Sequence, residues 1–246
     1  MTEEFIVFGG YPEIVLLSSD DEKIRELSEI YSDYVKKDIK DFLNIDNLDK
    51  FSQLAKILSV NAGNLINLQD LNCDLGLSKP TVENYLFLLE NTYTLSRITP
   101  FYQNKRKEII AAKKVFFNDT GLRNFLINNF SSLSSRVDSG ALFENAVFGE
   151  LNKHLDINEE VHFWRTQSGA EVDFIKVKGV EFCPIEAKNQ NMKRPEISSS
   201  MKNFINAYHP PKFYVFTKDF LGKTKFNSTQ INYYPFYFLT YFLKST

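Results

Sequence analysis

The sequence predicts a mixed α/β protein in two parts, an N-terminal helical segment with a winged helix-turn-helix, then a mixed sheet flanked by helices. Three observations carry that prediction. Helical periodicities over residues 51–59, 68–75 and 80–90 are followed by two short apolar runs at 95–101 and 114–117, which is winged-helix order. From Val161 to Lys188 the pattern becomes strand, turn, strand, with apolar residues on both faces, as in a sheet covered by helices. Between these stretches, residues 129–138 are serine-rich and without periodicity, and read as a linker. The expected divisions are therefore 1–48, 49–128 and 139–246.

Residues 1–48 begin with an apolar run broken by Gly9-Gly10-Tyr11-Pro12. Ile24, Leu27, Tyr31, Tyr34, Ile39 and Phe42 then form one apolar stripe over 21–43. Such a segment has no core of its own. It is expected to dock on the next domain or on a separate partner.

In the winged-helix stretch, an apolar helix over 68–75 meets a glycine turn, Ser78 caps the next helix, and Pro80 sits in its first turn. Val82, Tyr85, Leu86 and Leu89 give that helix a buried face. The opposite face offers Lys79, Thr81 and Asn84, side chains able to reach phosphates or base edges from a helix N-terminus in a major groove. The loop holding Lys105, Arg106 and Lys107 is expected to be a basic wing. The same order of elements also serves protein contacts alone, and Glu83 and Glu90 temper the charge of the helix.

The last part is expected to run helix (140–155), strand (161–165), hairpin, helix (194–208), strand (212–217) and a terminal aromatic helix. If the hairpin turns at Lys178-Gly179, Asp173 faces Pro184 and Glu186 is its diagonal neighbour, roughly 7 to 8 Å away at the side-chain bases. Alternation then places Asp173, Glu186 and Lys188 on one side with Ile175, Val177 and Phe182. Val172, Phe174, Cys183, Ile185 and Ala187 line the other. Pro184 implies an edge or a bulge.

Two carboxylates about 4 Å apart at an effective dielectric near 20 repel by about 4 kcal/mol, which a divalent cation or a proton must offset. Hard oxygen ligands favour Mg²⁺ or Mn²⁺. Alternatively, Asp173 and Glu186 salt-bridge Lys188 or Arg165 on a solvated sheet edge. A third carboxylate bears on this choice. Leu142, Ala146, Val147 and Leu151 recur at helical spacing after Ser139, a candidate N-cap, so Glu144 lies near a helix start and could be aimed at Asp173, or could serve the helix dipole alone.

Whole-chain properties narrow the function classes. The 246 residues are 43% hydrophobic and 24% charged, with a formal charge of −2, which argues against coating nucleic acid along the chain's length. Any nucleic-acid contact must come from local clusters. There is no GxxxxGK[ST] or GxGxxG run for a phosphate loop, and His154, His162 and His209 have no zinc or triad spacing. Cys73 and Cys183 read as reduced, buried thiols. No apolar run reaches the length of a membrane span and the first residues lack a signal-peptide pattern, so a cytoplasmic location without membrane contact is expected.

Several segments together resemble a known family. They are Gly9-Gly10-Tyr11-Pro12-Glu13, Tyr34-Val35-Lys36-Lys37-Asp38-Ile39, Leu77-Ser78-Lys79-Pro80-Thr81-Val82, Phe117-Asn118-Asp119-Thr120-Gly121-Leu122, Gly140-Ala141-Leu142-Phe143-Glu144-Asn145, Phe163-Trp164-Arg165 and Glu171-Val172-Asp173-Phe174. In this order they resemble the C-terminal part of a large group of prokaryotic AAA-type ATPases. There an ATPase core precedes a winged helix and a domain of unassigned function similar to the PD-(D/E)xK nuclease superfamily, with its restriction-endonuclease-like sheet.

The resemblance implies that residues 1–48 correspond to the end of an ATPase core whose phosphate-binding part is absent. It implies Glu144 as the helix acid, Asp173 as the metal-binding aspartate, and Glu186 with Lys188 as the E-x-K pair. The resulting expectation is a DNA-directed, Mg²⁺- or Mn²⁺-dependent phosphodiesterase in which Glu144, Asp173 and Glu186 hold the cation and Lys188 orients the attacking water. Arg165 and Gln167 are expected near the scissile phosphate. The rival expectations are a catalytically silent DNA- or protein-binding module, and a partner of a separately encoded AAA-type ATPase or of a second copy of the chain.

Overall fold

In the computed structural model, residues 2–34, 39, 47–102, 108 and 111–241 are described. The chain forms two compact units, one of Met1–Arg97 with Lys114–Asp138 and one of Ile98–Lys113 with Ser139–Thr246. The described elements of the first are α1 (Thr2–Phe8), α2 (Pro12–Val15), α3 (Asp20–Asp33), α4 (Leu48–Val60), α5 (Leu68–Leu75), α6 (Lys79–Asn91), β1 (Leu95–Ile98), β2 (Lys114–Phe117) and α7 (Thr120–Leu126). Those of the second are α8 (Ser139–Lys153), β3 (Glu159–Arg165), β4 (Glu171–Lys178), β5 (Glu181–Lys188), α9 (Ser199–Tyr208), β6 (Lys212–Thr217), β7 (Gly222–Phe226) and β8 (Thr229–Pro235), followed by a 3₁₀ turn at Phe236–Phe238.

The helices of the first unit close around Phe51, Leu54, Leu58, Val82, Leu86 and Leu89, all fully buried. Their ends follow from local chemistry. Asn67 accepts from Gln69 N–H at the start of α5, and Ser78 accepts from Thr81 N–H at the start of α6, where Pro80 costs no hydrogen bond. The apolar stripe of α3 is covered inside this unit: Leu27 is fully buried in a cluster with Val7, Phe8 and Ile14, and Tyr31 and Tyr34 pack on the helical core. Ile39 is also buried, while Phe42 lies outside the described residues. Internal packing thus removes the observation that suggested a missing partner.

Two turns distant in sequence, at Gly10 and Asp119, explain one another. Asp119 caps α7 by accepting from Leu122 N–H at 3.0 Å, and its other oxygen accepts from Gly10 N–H at 2.8 Å. Gly121 lets α1 approach: a Cβ there would lie 1.9 Å from the Phe8 carbonyl oxygen.

The stretch 129–138 is not a free linker. Arg136 and Leu133 are buried, and Asp138 takes both Arg136 (Nε at 2.6 Å, Nη2 at 2.9 Å) and the buried Arg123 (2.5 Å). Serine-rich composition masked three residues that lock the segment down.

The second unit carries a six-stranded mixed sheet in the order β3-β4-β5-β6-β8-β7. β3, β4 and β5 are antiparallel, β6 runs parallel to β5 after the crossover through α9, β8 is parallel to β6, and β7 closes the far edge as a hairpin with β8. The sequence reading missed that hairpin; the terminal aromatic helix it expected begins after it, with residues 236–241 helical and the rest outside the described residues. The alternating pattern of 222–235 marks strands, and Asn227, at φ 52°, makes the turn as asparagine can. α9 begins at Ser199, capped by Ser198, rather than at 194.

The expected basic wing, Lys105 to Lys107, lies outside the described residues, and the chain leading to it is described. Residues 98–113 belong to the second unit, where Phe101 N–H donates to the Phe163 carbonyl and its ring lies 5.5 Å from both Phe182 and Tyr208. Burial of that aromatic ring draws the strand connection onto the edge of β3. No helix among the described residues is long and apolar enough to cross a membrane.

Candidate metal centre

The hairpin turns at Gly179-Val180 instead of Lys178-Gly179, with Gly179 at φ 62° and Val180 in solvent. Phe174 therefore pairs with Ile185 and Ile175 with Pro184. The paired ladder ends at Phe174 and Ile185, and Asp173 and Glu186 are the next residue on each strand beyond it. A slip of two positions preserves which faces are shared along the paired ladder.

A bulge changes the rest of the pattern. His162 pairs with Ile175 but Trp164 with Val172, so Phe163 faces both Asp173 and Phe174. Val172 and Ile175 consequently share one apolar layer with Met201, Phe204 and Ile205 of α9, while Phe174 lies 6.0 Å from Phe148 of α8. The expected grouping of Val172 with Phe174 fails for this reason. Pro184 is neither on an edge strand nor at the bulge. It precedes the parallel ladder to β6, which starts at Ile185 and Tyr214, so its missing N–H costs that ladder nothing.

α8 begins at Ser139 itself and brings Glu144 over this end of the sheet. Oxygen atoms of Glu144, Glu171 and Asp173 lie within 4.8 Å of one another. Asp173 Oδ2 accepts from Ala187 N–H at 2.8 Å, between the two members of the E-x-K pair. Lys188 Nζ donates to Glu186 Oε1 at 2.6 Å. The other oxygen, Glu186 Oε2, is buried with no hydrogen-bond partner, and the residue is 4% exposed.

Electrostatics follow from that geometry. Burial, and then the charge of Asp173, push the Glu186 carboxyl up to about 8, with Lys188 opposing. Burial works against the Lys188 ammonium, yet the charges of Glu186, Asp173 and Glu144 together raise it above its ordinary value. A buried carboxylate oxygen facing another acid and lacking a donor is stabilised by a cation or by a proton. The donor set, all carboxylate oxygen, fits a hard divalent cation. Glu144 and Asp173 thus share an oxygen cluster with Glu171, while Glu186, paired with Lys188, lies outside that cluster but within reach of the Asp173 charge. Sequence reasoning passed over Glu171, although its position two residues before Asp173 was available as a same-side signal on a strand.

Arg165 lies at the rim with Nη1 3.2 Å from Glu171 Oε2, and Gln167 is exposed in the following turn. In the other unit Lys79 and Asn84 are exposed on α6. Lys79 faces Glu83 at 4.0 Å, and the Thr81 hydroxyl is held by Ser78 at 2.7 Å. Lys105, Arg106 and Lys107 lie outside the described residues. Cys73 is exposed rather than buried, whereas burial pushes the Cys183 thiol up to about 12, which makes it a poor nucleophile near neutral pH. Both ring nitrogens of His162 have partners, Thr99 Oγ1 at 2.9 Å and Glu160 Oε2 at 3.1 Å.

Fold and site define a helical domain joined to a mixed-sheet domain with a half-buried acidic cluster. Residues 1–133, more than half the chain, match the family described as domain of unknown function DUF8612, and the chain belongs to that family. Residues 139–236 match a second one, domain of unknown function DUF4143. The chain is 28% identical over 177 residues to the uncharacterized protein MJ1544 of Methanocaldococcus jannaschii, covering 70% of this chain and 38% of that one. It is 24% identical over 238 residues to an uncharacterized protein of Haemophilus influenzae, covering 94% of this chain and 56% of the other. The chain thus spans about half or less of the length of these relatives. No solved structure matches it.

Proposed function

We propose that the chain is a DNA-directed, metal-dependent phosphodiesterase module of the cytoplasm, in which the winged helix binds DNA and the acidic cluster cleaves it. The observation that carries this reading is the buried, unpartnered Glu186 Oε2 beside Asp173 and Lys188. Mg²⁺ or Mn²⁺ held by Glu144, Asp173 and Glu186 would polarise a phosphate oxygen and acidify an attacking water. Lys188 keeps its proton, orients that water and stabilises charge developing on the phosphate. Arg165 and Gln167 position the scissile phosphate from the rim. Lys79, Thr81 and Asn84 at the start of α6, with Lys105, Arg106 and Lys107, hold the DNA strand.

The test is cleavage of single- and double-stranded DNA with Mg²⁺ or Mn²⁺. Asp173→Ala and Lys188→Ala are expected to abolish it while leaving the far-UV circular dichroism unchanged. Wild-type protein inert on both substrates with either metal sinks the reading.

The motif resemblance to AAA-type ATPases supports a second reading, a catalytically silent DNA- or protein-binding module acting with such an ATPase. Salt-dependent DNA binding that survives loss of all three carboxylates, without turnover, selects it.

A further inference from the structure

Glu171 stands outside the E-x-K signature, yet it shares the cluster with Glu144 and Asp173. Its partner across the strands is Arg165, in register on β3, and the two side chains form an ion pair at 3.2 Å. The Arg165 side chain is 47% exposed, whereas that of Glu171 is 24% exposed. The guanidinium can therefore leave for solvent without being stranded in an apolar layer. The second cation of the site, Lys188, is fastened to Glu186 and has no such freedom. Beside Asp173, whose charge acts on it, the buried and unpartnered Glu186 oxygen shows this end of the sheet to be short of positive charge.

A divalent ion with hard oxygen ligands competes well for a carboxylate that already has two acid neighbours, because it relieves their mutual repulsion as one guanidinium at the rim does not. We propose that Arg165 is a displaceable counter-ion: it holds Glu171 until a divalent cation takes that carboxylate into the cluster with Glu144 and Asp173, and its released fork then binds a phosphate of the substrate strand. Guanidinium geometry suits both partners, since carboxylate and phosphate each accept two parallel N–H bonds. The inference rests on the phosphodiesterase reading above. It adds one oxygen ligand to the cluster and couples cation binding to anion binding.

Mn²⁺ titration of the full chain, followed by electron paramagnetic resonance, tests this on wild type, Glu171→Gln, Arg165→Gln and the double variant. Glu171→Gln is expected to weaken Mn²⁺ binding by about tenfold or more. Arg165→Gln is expected to strengthen it about two- to fivefold, the range of a partly exposed ion pair. In the double variant that gain should vanish, leaving the affinity of Glu171→Gln alone.

An Arg165→Gln gain of equal size in both backgrounds reduces the arginine to a distant repulsive charge and overturns the exchange. Unchanged affinity in Glu171→Gln also overturns it, while the reading of the site stands provided Asp173→Asn and Glu186→Gln lose the ion. Wild type that takes up no Mn²⁺ fails both. In the same series, binding of a short labelled oligonucleotide should gain from Mn²⁺ in wild type more than in Arg165→Gln, and equal gains count against release of the fork.

Discussion

Asp173 Oδ2 and the main-chain N–H of Ala187 are joined by a hydrogen bond of 2.8 Å, which pins the aspartate between Glu186 and Lys188. The contact makes two adjacent strands into one site. Asp173→Asn keeps an acceptor oxygen for Ala187 and removes a charge that repels Glu186. Its unfolding free energy in urea should stay within about 1 kcal/mol of wild type, the bond's weakening being offset by the relieved repulsion. Mn²⁺ affinity should nevertheless fall at least about tenfold, because a ligand is lost. A large stability loss with intact cation binding would show the aspartate to be purely structural.

Glu186→Gln separates the charge problem from the shape of the site. The folded-state value of Glu186 is raised from 4.5 to about 8, so between these values the folded chain holds a proton that the unfolded chain has given up. Stability contributed by this group therefore falls as pH rises from about 4.5 to about 8. The glutamine variant has no such dependence. It should match or trail wild type at pH 4 and exceed it by on the order of 1 to 3 kcal/mol at pH 8. Denaturant melts at both values check the crossing, and added Mn²⁺ should stabilise wild type but not the variant.

Asp138 has the opposite sign. The hydrogen bond from Arg136 outweighs burial and, with Arg123, holds the carboxyl well below its ordinary value of 3.8. Its contribution is present above that value and is lost as pH falls through the lower folded-state one. Asp138→Asn should cost about 3 kcal/mol at pH 7, because two buried guanidinium groups lose their counter-charge. The gap between variant and wild type should close on acidification toward pH 2. A penalty independent of pH would assign the cost to packing.

Gly121→Ala tests the docking of α1 on α7. The added Cβ would meet the Phe8 carbonyl oxygen at 1.9 Å, a main-chain clash that no rotamer relieves. A loss of about 3 kcal/mol or more is expected in thermal or urea unfolding. The same substitution at Gly140, where nothing lies within 4 Å, should be near neutral.

Local signals made much of this protein readable in advance. Ser78 and Pro80 mark the start of α6, the 2.0 and 3.6 periodicities separate sheet from helix, and Glu186-Ala187-Lys188 declares a same-side acid and amine two residues apart. These features depend on neighbours within a few positions, so composition and spacing reveal them. What spacing could not supply was register. Turning at Gly179-Val180 rather than one residue earlier shifted the pairing by two positions, so that Phe174 meets Ile185, and a bulge against Phe163 moved Val172 into the layer of Ile175.

The sequence by itself determined the mixed α/β class, helix caps such as Ser78 and most of the apolar faces, and it marked Glu144, Asp173, Glu186 and Lys188 as candidates for one site. Tertiary structure alone decided that Glu171 and its arginine lie beside Glu144 and Asp173, that Phe101 packs against Phe182 and Tyr208, and that Arg136 and Asp138 lock a stretch whose serines suggest freedom. The physical reason is the range of the forces involved. Capping and periodicity act along a few bonds of chain, whereas desolvation of Glu186 and the meeting of carboxylates from α8 and β4 exist only once distant segments have displaced water from between them.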